Sequence, residues 1–495
     1  MGTTLPEELA PSEPAICLLA SEVLPLSKTG GLADVVGALA KYLHAAGLDV
    51  RTITPCYAGI DRAIECAPVA GLAAIPLALG SQRYLFSVLQ TTLPGGAPAY
   101  LIDCPALFGR AALYTSDPDE HLRFLAFTRA ALITCRRLGW TPDVIHCNDW
   151  HTAFAPLYLQ SLRRAEPRFA STRTLLTIHN VGYQGIFPAA RAADLGLADP
   201  GLLYGPDLLG GHINALRHGI LYADAVSTVS PTYAREICTA EYGMGLQDSL
   251  RERAAAGALY GILNGVDYQE WDPRRDRYLP AHYDADSLAV KAQLKREYLA
   301  GRKLALTENV PLAGVVSRLA AQKGIELMFA ALPQILSAQP LSLTVLGSGE
   351  PQYERFFTGL VRDFPGRVAF QHGYDVEQSH WIEAASDMFL MPSRYEPSGL
   401  NQMYSQRYGT VPVVRHTGGL ADSVEPYDLQ RGTGAGVVFN DFDAPALVWA
   451  LSQALDLYRQ PPHWTRMMRN GMQRDFSWEH RVREYIELYR RLAAA

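Results

Sequence analysis

The sequence predicts an α/β protein built from two doubly wound parallel sheets, one in each half of the chain. Three observations carry this. Short apolar runs without in–out alternation recur between longer helix-compatible stretches. An irregular break divides them near Asn264–Pro273, and one hexapeptide, Thr-Gly-Gly-Leu-Ala-Asp, occurs at 29–34 and again at 417–422. Uninterrupted apolar strands separated by helices are the pattern of parallel sheets covered on both faces.

In the first half, Ala15–Ala20, Val50–Thr54, Val144–His146, Arg173–His179 and Ala225–Val229 read as buried strands. In the second, Leu312–Ser317, Ser342–Leu346, Val368–Gln371, Met388–Met391 and Val411–Val414 read likewise. Leu32–Ala46, His121–Leu138, Ile325–Leu336 and Leu400–Tyr408 have the spacing of intervening helices. Asn264-Gly265-Val266-Asp267 carries turn chemistry, and Trp271-Asp272-Pro273 opens an irregular stretch. This places the domains at 1–265 and 266–478. No strand follows the helical segment 479–495, which is free to pack on either domain or to cross back to the first.

The 495 residues exceed what one core organises. With 48% hydrophobic and 19% charged residues the chain is an ordinary globular one, not disordered or fibrous. A net charge of −6 offers no general attraction to nucleic acid or anionic membrane. It is compatible with a neutral polymer without selecting one. The seven cysteines all lie in the first half and form no Cys-x-x-Cys pair, which fits free thiols in a reducing compartment. Met1–Pro14 is acidic and proline-rich, and no apolar run reaches the ~18 residues of a membrane span. The expectation is a cytoplasmic protein without signal peptide or transmembrane segment.

The Thr-Gly-Gly runs follow strands and lead into helices, where backbone N–H groups stabilise anions. Gly30, Gly31, Thr417 and Gly418 are therefore candidate anion contacts. Tight strand-to-helix turns also need glycine for steric reasons alone. Lys28 adds a cation to the first loop, suiting a phosphate or the oxygens of a sugar nucleotide; a solvated lysine on a turn is the other reading. Arg318 and Lys323 stand at a strand exit in Ser317-Arg318-Leu319-Ala320-Ala321-Gln322-Lys323-Gly324. Two cations there can stabilise a departing diphosphate without a metal, or can simply be exposed loop charges. Pro392-Ser393-Arg394-Tyr395-Glu396-Pro397-Ser398-Gly399-Leu400-Asn401 places Glu396 between a strand and a helix. A carboxylate there can accept from sugar hydroxyls while the amides after it hold an anion.

His146, Asp149 and His151 mimic a metal cluster, but their spacing lacks a helix and a third ligand position, so hydrogen bonding or substrate positioning is the stronger reading. The Asp-x-Asp triplets at 117–119, 284–286 and 441–443 sit where aspartate caps helices and turns. No metal site is expected.

Taken in order, Lys28–Leu32, His146–His151, Thr177–Phe187, Gly261–Asp267, Val316–Gly324, Ser393–Leu400 and Tyr408–Val424 resemble the signatures of bacterial glycogen synthases and plant starch synthases. The resemblance spans about Ala15 to Tyr489. It implies the GT-B fold, two Rossmann-like domains facing across a cleft that closes during the reaction. It also implies transfer of glucose from ADP-glucose to the non-reducing end of glycogen or another α-1,4-glucan, with retention and no cofactor. By the same resemblance Lys28, Asp34, Asn264, Arg318, Lys323 and Glu396 match donor-site positions, and Tyr374 an aromatic contacting adenine. His179 matches a histidine near the sugar, and Tyr114 a tyrosine of the sugar pocket. Ser398 replaces the Cys of many bacterial relatives, so thiol-reagent sensitivity is not implied, and Asn401 stands where many have Thr. A glucan phosphorylase-like enzyme, or a catalytically silent glucan-binding protein, are the alternative readings.

Overall fold

The computed structural model describes residues 13–197, 199–305 and 309–495. Most of the acidic stretch Met1–Pro14 lies outside them. The chain divides into two compact units. The first comprises the described chain up to Thr228, Ile237–Ile262 and Arg481–Ala495, and the second Val229–Glu236 and Leu263–His480.

The first unit is centred on a sheet in the order Leu259–Gly261, Ala225–Thr228, Arg173–Ile178, Val144–Asn148, Ile16–Leu19, Val50–Pro55, Pro98–Asp103 and Gln82–Thr92. The first seven strands are mutually parallel. Gln82–Thr92 runs antiparallel to Pro98–Asp103, and Ile75–Leu79 pairs antiparallel with it in turn. That antiparallel edge is absent from the sequence-based expectation. Its burial alternates strictly along Ile75–Leu79, as in a strand with one wet face. The second unit carries six parallel strands, in the order Val368–His372, Ser342–Gly349, Leu312–Leu319, Met388–Met391, Val411–Arg415 and Val437–Phe439.

The expected strands and helices all form, with ends shifted by a few residues. Each sheet reverses its winding once. In the first unit the reversal falls between Ile16–Leu19 and Val144–Asn148, and in the second between Leu312–Leu319 and Met388–Met391. At such a switch point the loops after the two strands diverge to opposite faces, leaving a crevice at their carboxyl ends. The strand interiors are fully buried apolar residues, including Ile16, Leu18, Val144 and Ile145 in one sheet and Ala313, Val315, Met388 and Leu390 in the other.

The helix Trp478–Ala493 begins in the second unit and belongs to the first from Arg481 onward. Its Tyr489 hydroxyl hydrogen-bonds with His146 Nδ1 at 2.7 Å. His146 Nε2 meets Thr177 Oγ1 at 2.6 Å, which in turn meets Ser227 Oγ at 2.6 Å. Burial and then the neighbouring His179 push His146 down to about 3, so the ring is neutral at working pH.

Because the unfolded chain takes up a proton near pH ~6.5 and folded His146 does not, acidification below that value weakens the fold down to about 3. Tyr489→Phe leaves a buried imidazole nitrogen unpaired. It is expected to cost about 1–3 kcal/mol, read as a lowered urea midpoint at pH 7. An unchanged midpoint would show that the relay does not hold the helix.

Candidate functional site

In the second unit the two strands at the switch point deliver the strongest sequence block. Leu312–Leu319 exits into a short 3-10 turn, Ala321–Lys323, and Met388–Met391 exits into Pro392–Leu400. Lys323 Nζ donates to Glu396 Oε2 at 2.6 Å, and Ser393 Oγ donates to the same oxygen at 2.9 Å. Glu396 is only 4% exposed, so its charge is tolerated through these donors. The turns are tied together by backbone: Arg394 N–H donates to Gln322 O at 2.9 Å, and Gly419 N–H to Glu396 O at 2.9 Å.

Two glycines make this approach possible. A Cβ on Gly324, at φ +66°, would lie 1.9 Å from the Pro392 carbonyl oxygen, and one on Gly418, at φ +45°, 1.9 Å from that of Glu396. Arg318 stays exposed at the strand end, with Nη2 3.5 Å from Gln322 Oε1. Asn401 Nδ2 donates to Val316 O at 2.8 Å, pinning the start of Asn401–Arg407 to the central strand. Ser398 is buried, its hydroxyl 3.4 Å from Gly399 O, with Leu400 half-buried beside them. Tyr374 is 64% exposed after Val368–His372, and Asn264 is buried with no protein partner for its Oδ1 among the described residues.

The second Thr-Gly-Gly loop differs from expectation. Glu236 Oε1 accepts from Thr417 Oγ1 and from Gly418 N–H, both at 3.0 Å. Asp422, the last residue of the motif, accepts from Thr232 N–H at 2.7 Å and Thr232 Oγ1 at 2.6 Å. The short helix Pro231–Glu236 thus supplies the carboxylate expected of a bound anion.

In the first unit the same motif is used in the same way. Glu22, just past Ile16–Leu19, accepts from the N–H groups of Thr29 and Gly30 and from Thr29 Oγ1. Lys28 Nζ donates to Asp34 at 2.7 Å. Burial chiefly raises the Asp34 carboxyl above the usual range, with Lys28 opposing it. Tyr114 donates to Glu22 Oε1 at 2.6 Å, and its ring stacks on His151 at 4.8 Å.

His179 Nε2 meets Asn148 Oδ1 at 2.8 Å, and across the switch point Asn148 Nδ2 donates to Leu19 O at 3.0 Å. Asp149 Oδ1 accepts from His179 N–H at 2.7 Å. Asp149 adopts φ 56° and ψ −176°, a conformation that non-glycine residues hold only under surrounding constraint. Burial pushes its carboxyl up to about 7 and the His179 ring down to about 3. His146, Asp149 and His151 do not converge as ligands: the first serves the Tyr489 relay, the second the His179 backbone, and the third stacks between Tyr114 and Trp150. In the acidic triplets, Asp443 caps a helix at Ala446 N–H, Asp284 closes a turn with Ser287, and Asp117 and Asp119 hold Arg110.

Sequence reasoning thus missed Glu22 and Glu236, and missed the structural part of Asp149. Glu22 had one available signal, an acid immediately beyond an apolar strand and seven residues before the glycine loop.

Residues 15–252 match the family model described as starch synthase catalytic domain, and residues 300–473 that of glycosyl transferases group 1. The chain is 43% identical to a glycogen synthase of Koribacter versatilis, over 96% of this chain and 97% of that one. It is 40% identical to a glycogen synthase of Thermotoga maritima, over 97% and 99%. The catalytic domain of starch synthase IV from Arabidopsis thaliana, solved bound to ADP and acarbose, superimposes with a TM-score of 0.90 at 34% identity, covering 98% of this chain and 100% of that one. Sucrose-phosphate synthase from Thermosynechococcus elongatus shares the fold, with a TM-score of 0.62 at 20% identity over 97% and 99%.

Two outcomes test the geometry. Gly418→Ala is expected to lower the thermal midpoint by several degrees, since the new methyl displaces the Glu396 peptide. A midpoint within about a degree would show that the loop yields freely. For Asp149, a folded pKa of about 7 above an unfolded value near ~3.9 means that folding takes up a proton in between. Its contribution therefore declines as pH rises through that window. Asp149→Asn removes this dependence, so the stability of the variant relative to wild type should improve from pH 5 to pH 8 in urea unfolding. A constant difference would refute the raised carboxyl.

Proposed function

The chain belongs to the glycogen and starch synthase family of GT-B glycosyltransferases, and from that premise we propose that it transfers glucose from ADP-glucose to the non-reducing end of an α-1,4-glucan, with retention and without a metal. The observation that carries the reading is the ion pair of half-buried Lys323 with buried Glu396 at the carboxyl edge of the second sheet. A fixed cation and a fixed carboxylate there suit a leaving diphosphate and a hydroxyl-rich sugar. The Arabidopsis relative was solved with ADP and acarbose, a nucleotide and an oligosaccharide-like ligand, which supports the same substrate classes.

In this scheme the bond from the anomeric carbon to the diphosphate oxygen breaks as the acceptor 4-hydroxyl oxygen bonds to that carbon from the same face. The acceptor proton passes to the departing phosphate oxygen. Arg318 and Lys323 offset the charge growing on the diphosphate. Glu396 accepts from glucose hydroxyls, the amides of Ser398 to Asn401 meet phosphate, and the Lys28–Gly31 loop, its Thr29 and Gly30 amides already held by Glu22, offers the anion its lysine. The exposed ring of Tyr374 offers a face to adenine, and Asn264 Oδ1, without a protein partner among the described residues, a hydrogen-bond acceptor to the donor.

Burial keeps the His179 ring neutral near pH 7, so it brings no positive charge to the sugar side. Its backbone, held by Asp149, and the Tyr114 ring shape the sugar side. Thr417 and Gly418 hold Glu236, so their part is to fix the backbone of Glu396 rather than to bind phosphate. Among the described residues no helix is long and apolar enough to cross a membrane, and the proposed place of action is the cytoplasm.

The test is nucleoside-diphosphate release from ADP-glucose and UDP-glucose, with and without glycogen, in EDTA. Glycogen-dependent ADP release is expected, and Lys323→Ala should lower kcat by about 100–1,000-fold. Faster release from UDP-glucose would overturn the donor, loss of activity in EDTA the metal independence, and near-normal turnover of the variant the leaving-group role.

A further inference from the structure

Four donors converge on the carboxylate of Glu22. Oε2 accepts from Thr29 N–H and from Gly30 N–H at 3.2 Å, while Oε1 accepts from Thr29 Oγ1 at 2.7 Å and from Tyr114 OH at 2.6 Å. An ionised carboxylate offers about four lone-pair sites, so these contacts saturate it. The side chain is 3% exposed and stands at the first sheet's switch point, immediately beyond the strand Ile16–Leu19. Two amides of the glycine loop are thereby spent inside the protein.

We propose that Glu22 is the positioning residue of the Lys28–Gly31 loop: it fixes the loop that meets the donor's diphosphate and ties that loop to Tyr114 on the sugar side. The inference rests on the donor reading given above. A negative charge beside a diphosphate site is electrostatically unfavourable, so a neutral acceptor would be the better choice if one hydrogen bond sufficed. Four converging donors remove that option. Glutamine keeps one acceptor oxygen and turns an NH2 toward two of the donors, leaving them unsatisfied in a buried place.

The helix Gly31–Ala45 starts directly after this clasp and has no side-chain cap of its own, so Glu22 sets the direction in which the helix leaves the strand. Lys28 is carried on the same turn, and its ammonium is oriented by Asp34 at the far end of the motif. Loosening the clasp therefore displaces cation and amides together, which harms donor binding before it harms acceptor binding.

The experiment compares wild type, Glu22→Gln and Thr29→Val in steady-state kinetics with ADP-glucose and glycogen, with ADP affinity by calorimetry and the thermal midpoint alongside. The expected result for Glu22→Gln is a donor KM and an ADP Kd raised about tenfold or more, with the glycogen KM within about twofold of wild type. Thr29→Val, which deletes one of the four donors and keeps the carboxylate, should move the same two constants by a smaller factor. A lowered midpoint or lowered kcat with unchanged donor KM and ADP Kd would mean a purely structural role and overturn the proposal. If Glu22→Gln does not fold, Thr29→Val decides alone: a raised ADP Kd supports the clasp and an unchanged one overturns it. A wild type that binds ADP but releases none from ADP-glucose would sink the functional reading while the ADP Kd still judges Glu22. A wild type that binds no ADP would sink both.

Discussion

An ionised carboxylate 4% exposed to solvent is stable only where donors are already in place, and the second unit is organised around that requirement at Glu396. Lys323 and Ser393 both donate to one oxygen of it. To bring Lys323 there, the chain leaves Leu312–Leu319 through a single 3-10 turn that ends at a glycine in the left-handed region. To hold the carboxylate's own backbone, the Thr417–Gly419 loop donates to the Glu396 carbonyl, and this loop is itself clasped by Glu236. The parallel sheet beneath supplies the support: Leu312–Leu319 pairs along its length with Ser342–Gly349, and Met388–Met391 with Val411–Arg415. The two delivering strands pair with each other only at Ala313–Met388 and Gly314–Phe389, so the contacts between their exit loops hold their ends together.

The first unit solves a different problem, keeping histidines neutral and aimed. Burial denies a charge to His146, His151 and His179. Each then has a geometric duty instead of a protonic one. His146 ties the C-terminal helix to the sheet, His151 supports the Tyr114 ring, and His179 is held through its ring by Asn148 and through its backbone by Asp149. Asp149 bears the cost, with a strained backbone and a carboxyl pushed up to about 7. Strain of that kind persists only where neighbouring structure over-determines it.

Much of this was legible beforehand. Parallel strands buried on both faces leave continuous apolar runs, and each expected run became a strand. The block around Glu396 was legible because proline, glycine and a strand end constrain where an acid can point. The antiparallel edge at Ile75–Thr92 was not, since its wet face dilutes the apolar pattern with residues such as Gln82, Arg83 and Gln90. The role of the Thr-Gly-Gly loops was half legible: they do gather an anion at their N–H groups, but the chain's own carboxylates are the anions.

The sequence by itself determined the alternation of strands and helices, and which loops carry cations, glycines and acids at strand ends. These follow from local pattern, because burial on two faces and tight turns each demand particular residue types within a few positions. Only the tertiary structure decided which donor meets which acceptor. Glu236 finds Gly418 across 182 residues, and His146 finds Tyr489 across 343. Such pairings are set by the order in which strands lie side by side, and no local propensity encodes that order.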